Sequence, residues 1–301
     1  MESNIKSKTV GLIQGCPTTS SATMKQSIIA AVKYIEENAY YLGKNMTMEE
    51  RAQIQELIIK HHLVKWINCS KEIMMKECRL YFESSLSGRT VTFGEKTSGV
   101  QTGCVMVVDG NPLWYIKTHS GGSTKGKPSI GKVDFIEIHT YMVLNTIRVC
   151  PTTVIIPGLF TETGLLIASK NCRVDFPEFV EMKQIKSLNT DMEKEMTRCA
   201  GICSLLQIND VFENNENFGF DDNRLVIFDF AVQHKSTSRP DPKKLLEAYK
   251  VDLNQDILRD TAKQVKEAIE NTSLEYLPED ARKLVEGHFK TAISECDAYL
   301  K

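Results

Sequence analysis

The sequence predicts an α+β fold in which a helical N-terminal extension precedes a small strand-rich lobe and a helical C-terminal lobe. Three observations carry this reading. Residues 21–83 repeat apolar side chains at helical spacing, residues from Ser84 alternate β-branched and aromatic runs with glycine turns, and the chain beyond about 187 returns to helical periodicity. The expected boundaries are 1–83 for the extension, 84–175 for the strand-rich lobe and 176–301 for the helical lobe.

At 301 residues the chain is long enough for one large domain or two lobes, each burying its own core. Its 37 basic and 39 acidic residues give no charge argument for nucleic acid, and a hydrophobic content of 42% excludes overall disorder. Nine cysteines form no CxxC pair, and Cys199 and Cys203 stand at helical spacing among small and apolar residues, so they read as core thiols in a reducing compartment. The opening MESNIKSKTVGLIQG has no apolar signal-peptide core, and no stretch reaches bilayer-spanning length, so a soluble chain without a transmembrane segment is expected.

In the extension, SATMKQSIIAAVKYIEENAYYLG is one helix, and Thr47 with Glu50 forms a capping box that opens RAQIQELIIKHHLVKWI. His61 and His62 read as helix-surface histidines there, and Cys16 as a loop residue. TVTFGE, GCVMVVDG and PLWYIK read as strands joined by glycine and Asp-Gly turns, followed by the Gly/Ser/Lys loop HSGGSTKGKPSIGK. VDFIEIHTYMVLNTIRV is a helix with Phe135, Ile138 and Met142 on one face, and TTVIIPG and GLLIASK are two further strands. Thr190 and Glu193 cap the next helix, whose buried stripe is Met192, Met196, Cys199 and Cys203. Amphipathic segments follow from Pro242 to the end.

Phosphoryl transfer needs a cation on the phosphates, oxygen ligands for a metal and a carboxylate beside the acceptor hydroxyl. Lys117 ends PLWYIK, one hairpin after the glycine turn containing Gly99 and Gly103, and Glu137 lies on the following helix. Taken singly, Lys117 is an edge-strand lysine and Glu137 part of a solvated helix face. Asp210 is followed by Asn215 at the five-residue spacing of a kinase catalytic loop, which favours Asn215 narrowly as the metal asparagine, while the strand-like NFGF favours Asn217, so both are candidates. Asp229 closes the apolar run RLVIFD, with Phe230 and Ala231 completing a D-F-A in place of D-F-G. The alternative for this loop is that its asparagines make Asx turns and tolerate left-handed backbone.

The ordered set Lys117, Glu137, Asp210, Asn215 or Asn217, and Asp229 resembles the protein-kinase-like superfamily, and more closely its HipA-type and phosphoinositide-kinase-like branches. The resemblance covers about residues 90–235 and departs in having Ile208 and Asn209 before Asp210 where ordinary kinases have His-Arg. It implies a two-lobed kinase-like fold, ATP with magnesium or manganese, and a protein hydroxyl as acceptor, with a lipid headgroup, adenylyl transfer or a catalytically silent pseudokinase as alternatives. It further implies that Lys117 binds phosphates with Gly99 and Gly103, that Glu137 orients Lys117, that Asp210 is the catalytic base, and that Asp229 with Asn215 or Asn217 holds metal. The chain also resembles minimal effector kinases delivered by intracellular bacteria, which implies secretion into a host cytoplasm. In that group an inositol polyphosphate is an activator, which implies inositol hexakisphosphate as a ligand; the local feature motivating it is the basic set Lys125, Lys127 and Lys132 with Lys183 and Lys186, whose alternative reading is a solvated loop.

Overall fold

Loops of alternating glycine and polar residues divide the chain into short strands and amphipathic helices, and these gather around separate cores. A computed structural model describes residues 2–16, 24–61, 63, 71–96, 101–119, 134–157, 165–232, 240–274, 277 and 279–301. In chain order the elements are α1 (Glu2–Gln14), α2 (Met24–Asn45), α3 (Met48–Lys60), α4 (Lys71–Phe82), β1 (Val91–Glu95), β2 (Gly103–Val108), β3 (Asn111–Lys117), α5 (Phe135–Thr146), β4 (Thr153–Pro157), β5 (Leu165–Lys170) and α6 (Cys172–Asp175). They continue with β6 (Phe179–Glu181), a 3-10 turn at Met182–Gln184, α7 (Thr190–Leu205), β7 (Ile208–Asn209), β8 (Phe218–Asp221), β9 (Arg224–Ile227), β10 (Ala231–Val232), α8 (Pro242–Glu247), α9 (Gln255–Asn271) and α10 (Glu279–Tyr299). The fold is mixed α+β, with a small sheet and many helices. It separates into two compact units, Met1–Asp134 with Val154–Ala168, and Phe135–Thr153 with Ser169–Lys301. Residues 135–153 and 169–175 therefore group with the helical half, although the sequence reads 84–175 as one stretch.

The first unit holds the N-terminal helices and a sheet of order β1-β2-β3-β5-β4. Thr47 N–H donates to Glu50 Oε2 and Glu50 N–H to Thr47 Oγ1, so α3 begins with the expected capping box. α1 extends the helical region to the start of the chain: Thr9 and Ile13, one turn apart, are buried, and Ile13 joins a core with Ile35, Leu42, Ile54 and Ile58. Cys16 lies in the bend after α1, as expected, and His61 corrects the sequence reading, while His62 lies outside the described residues. Cys16 is buried, and its carbonyl lies 2.6 Å from Nδ1 of His61, itself buried rather than on a helix surface, which fixes a proton on that nitrogen. α4 forms a second core, with Met74, Cys78 and Phe82 against Cys104, Met106, Trp114 and Ile116. β2 and β3 join through Asp109 and Gly110, both at positive φ, a two-residue turn of the kind that Asp-Gly favours.

In the second unit α7 buries Met196, Cys199 and Cys203 of the expected stripe, while Met192, in its first turn, is only half-buried. Its cap lies one residue earlier than expected: Asn189 Oδ1 accepts from the N–H of Asp191 and Met192. α5 is not amphipathic in the expected sense, because Ile136 through Tyr141, Val143 and Leu144 are all buried, the pattern of a helix covered on nearly every side. It packs on α9, α10 and β10.

A three-stranded sheet of order β6-β8-β9 completes this unit, with β8 buried along its whole length. Asp222 and Asn223, both left-handed, make the two-residue β8–β9 turn. Gly219 lies where β6 crosses close to β8: a Cβ there would stand 2.1 Å from Val180 O and 2.9 Å from Glu181 Cα. Neither backbone atom belongs to a flexible side chain that can swing away, so Gly219→Ala is expected to destabilise the protein by about 3 kcal/mol, at the upper end of overpacking costs. Thermal unfolding of the variant checks this, with a midpoint lowered by roughly 6–10 °C.

Candidate functional site

Asp210, Asn217 and Asp229 all lie on the second unit, and two antiparallel ladders bring them together. In the first, Asn209 pairs with Ala231 and Ile208 with Val232, so Asp210 leaves β7 directly beside Phe230. In the second, Phe218 pairs with Ile227 and the N–H of Phe228 donates to Asn217 O at 3.0 Å, so Asn217 enters β8 beside the same segment. Asp229 occupies the short bend between the two ladders. Paired Cα atoms in such ladders are about 5 Å apart, and each of the three residues is within two positions of a pair.

The loop from Asp210 to Asn217 is closed by its own polar groups. Asp210 O accepts from the Asn214 N–H at 3.0 Å and from the Asn217 carboxamide at 3.3 Å. Asn214 in turn donates its side-chain amide to Asn217 Oδ1 at 3.0 Å, and its own oxygen accepts from the Glu216 N–H, an Asx turn. Asp210 adopts φ 69°, a left-handed conformation that aspartate tolerates better than most residues, and its side chain is exposed. The Asx-turn reading of the loop therefore holds for Asn214, while Asn217 does something different. It is buried, with both ends of its carboxamide engaged, and one lone pair of Oδ1 remains beyond the bond from Asn214.

Asn215 is exposed, and its carbonyl accepts from the Lys183 N–H at 3.2 Å. Of the two asparagines, only Asn217 is tied to Asp210. In the sequence the NFGF strand start favours Asn217 and the five-residue spacing favours Asn215.

Asp229 is half-buried and sits two residues beyond the end of β9, not at its last position. Phe230 beside it is buried and stacks on Tyr141 of α5, with ring centroids 4.2 Å apart. Tyr141 is one helical turn beyond Glu137, on the same side of α5. Glu137 is buried, at 1% exposure, which overturns its reading as part of a solvated helix face. The backbone around this segment is also held: Ile227 N–H donates to Val149 O at 2.7 Å, tying β9 to the chain that follows α5.

Lys117 belongs to the first unit and ends β3, an interior strand with β2 and β5 on its two sides, so it is not the edge-strand lysine expected of it alone. Its partner in register is Gly103, and the ladder continues with Thr118 N–H donating to Thr102 O at 3.0 Å. Gly103 opens β2 instead of lying in a turn. A Cβ there would be 2.5 Å from Ile116 O, so glycine permits the close approach of β2 to β3 beside Lys117. Two residues beyond Lys117, His119 is fully buried; burial holds its imidazole down at about 4, against a smaller upward pull from Asp134 and with Lys117 adding to the depression. Gly99 and the basic residues Lys125, Lys127 and Lys132 lie outside the described residues. Lys183 is no free member of a basic pocket, since its ammonium pairs with Glu181 at 2.9 Å and Glu216 at 3.2 Å.

Among the described residues no group of three or more His, Cys, Asp or Glu side chains is placed to hold a metal ion, and no helix is long and apolar enough to cross a membrane. No protein-family model matches the chain, and no curated protein matches it.

Proposed function

We propose that this chain is an ATP-dependent phosphotransferase with a two-lobed kinase-like fold, acting on a protein hydroxyl. The observation that carries the reading is the double ladder that gathers Asp210, Asn217 and Asp229, with the Asn217 carboxamide bonded to the carbonyl of Asp210. A bare Asx-rich loop would not need a buried asparagine spanning it, nor a neighbouring strand that delivers an aspartate to the same place.

In this reading Asp210, exposed on a left-handed turn, takes the proton of the acceptor hydroxyl as its oxygen attacks the terminal phosphorus of ATP, and ADP leaves. Asn217 and Asp229 present an amide oxygen and a carboxylate, the hard oxygen donors that magnesium and manganese take, and such a pair falls outside any cluster of three carboxylates, histidines or thiols. A bound divalent ion would neutralise phosphate charge there. Lys117 and Glu137 take their roles, phosphate binding and orientation of the lysine, from the sequence resemblance; within its own unit Lys117 ends β3 in register with Gly103, and within its own unit Glu137 is buried on α5.

Departures from the usual kinase pattern fit this reading. Ala231 replaces the usual glycine, yet it pairs with Asn209 in β10 and is not among the residues with left-handed backbone, so an alanine fits there without strain. Ile208 stands where ordinary kinases carry histidine and is fully packed in the core.

The two asparagines supply the test. Asn217→Ala is expected to lower transfer of labelled phosphate from ATP by about 10²-fold or more, and Asn215→Ala by less than about threefold. Equal losses, or a larger loss at Asn215, would overturn the assignment.

A further inference from the structure

The chain that approaches the catalytic loop from outside belongs to β6 and the 3-10 turn after it. β6 pairs with β8 in the register Phe179 with Asp221, Val180 with Phe220 and Glu181 with Gly219. Continued by two residues, that register brings Lys183 opposite Asn217. The ladder gives way to the 3-10 turn at Met182, and Lys183 makes three separate links to the loop and to its own strand. Its N–H donates to Asn215 O, its ammonium pairs with Glu216, and the same ammonium pairs with Glu181. These two carboxylates raise the lysine's proton affinity, Glu181 first, so the pairing stays charged at neutral pH.

The consequence lies in what these links hold. Asn217 is fastened from inside the loop by Asp210 and Asn214 and through its own carbonyl by Phe228. The outer side, Asn215 and Glu216, is exposed and has no strand of its own. Without a support there, the loop can bow outward and draw Oδ1 of Asn217 off the direction that its inner bonds set. Lys183 supplies that support from the 3-10 turn that follows β6, a strand whose register with β8 is locked by the close crossing at Gly219.

We infer that Lys183 is a positioning residue for the Asp210–Asn217 loop, acting through Glu216 and the Asn215 carbonyl to hold Asn217 in its metal-binding orientation. This inference rests on the reading of Asn217 as a metal ligand. Lys183 touches neither nucleotide nor acceptor in it; its effect passes through the loop.

Two readouts test it on the full chain. Hydrogen exchange of the amides from Val211 to Asn217 is expected to quicken at least threefold in Lys183→Met, with α9 and α10 unchanged and the parent rate largely restored in Lys183→Arg, which keeps the charge. Manganese titration in the presence of a non-hydrolysable ATP analogue is expected to show about threefold weaker binding in Lys183→Met, in keeping with the modest strength of exposed ion pairs, and no saturable binding in Asn217→Ala. Parent-like exchange in the loop, or parent-like manganese binding by Lys183→Met beside a failing Asn217→Ala, overturns the role of Lys183 alone. Parent-like binding by Asn217→Ala overturns the metal reading of the loop and removes with it what Lys183 is inferred to position.

Discussion

Asp229→Ala is expected to abolish phosphoryl transfer, lowering the rate by about 10³-fold or more, while shifting thermal stability by less than about 1 kcal/mol. The two halves of this prediction have separate origins. Asp229 is half-exposed in a bend between ladders, so truncating it opens no core cavity and breaks no strand pair. In the proposed reading the carboxylate would instead hold a divalent cation that neutralises the phosphate oxygens, and such a ligand acts only when the segment that carries it is fixed. Phe230 fixes it, buried against Tyr141, while Phe228 is bonded to Asn217. Phe230→Ala should therefore behave differently, losing stability and transfer together, because it removes a buried ring. Steady-state transfer rates and thermal melts of the two variants side by side distinguish a chemical group from its support.

Acid should destabilise both units well before the carboxylates titrate. His119 in the first unit and His139 in the second are buried and neutral, each held down at about 4, and in both the largest cause is burial. In the unfolded chain these imidazoles titrate near 6.5. A histidine whose folded value lies below its unfolded one contributes stability that is fully present above about 6.5. That contribution is lost as pH falls toward 4, because the unfolded state then binds the proton that the folded state refuses. The full loss is about 3 kcal/mol per histidine, and about 2 kcal/mol of it is expected between pH 7.5 and 5. His119 faces Asp134 and Lys117, which oppose one another in effect, whereas His139 lies edge-to-face on the ring of Phe289 at 5.0 Å. Lowered carboxylates such as Asp109 and Asp175 lose their pairing energy only at more acid pH, so the window from 7.5 to 5 isolates the histidines. Urea unfolding at the two ends of that window is expected to show the loss, and His139→Phe should reduce the slope. A pH-independent midpoint in the parent would contradict the burial of both imidazoles in neutral form.

Much of this architecture could be read from local pattern alone. The Thr47–Glu50 box, the Asp109-Gly110 turn and the Met196–Cys199–Cys203 stripe are set by residues within a few positions of one another, and periodicity and turn chemistry are signals of that range. What escaped detection depends on distant contacts. Helix α1 carries a low-contrast face in which Thr9 stands between Ile5 and Ile13, and only packing against α2 and α3 makes it a core face. His61 looks like one of two surface histidines until the Cys16 carbonyl, 45 positions away, lies against it. The site divides the same way. The order and spacing of Asp210, Asn215, Asn217 and Asp229 are legible in the sequence, but that Asn217 and not Asn215 is bonded to Asp210 depends on contacts across the loop. Gly219 gave no sign and Lys183 stood out only as one of several basic residues, because the β6 strand that explains both is brought in from some 40 positions earlier.

The most direct measurement follows the phosphorus atoms. Purified protein incubated with magnesium or manganese and ATP labelled at either the γ or the α position should transfer the γ label to protein and leave the α label in ADP. Appearance of the α label on protein would show adenylyl transfer instead, and transfer of neither label to protein or to a lipid headgroup would contradict the proposed phosphotransferase.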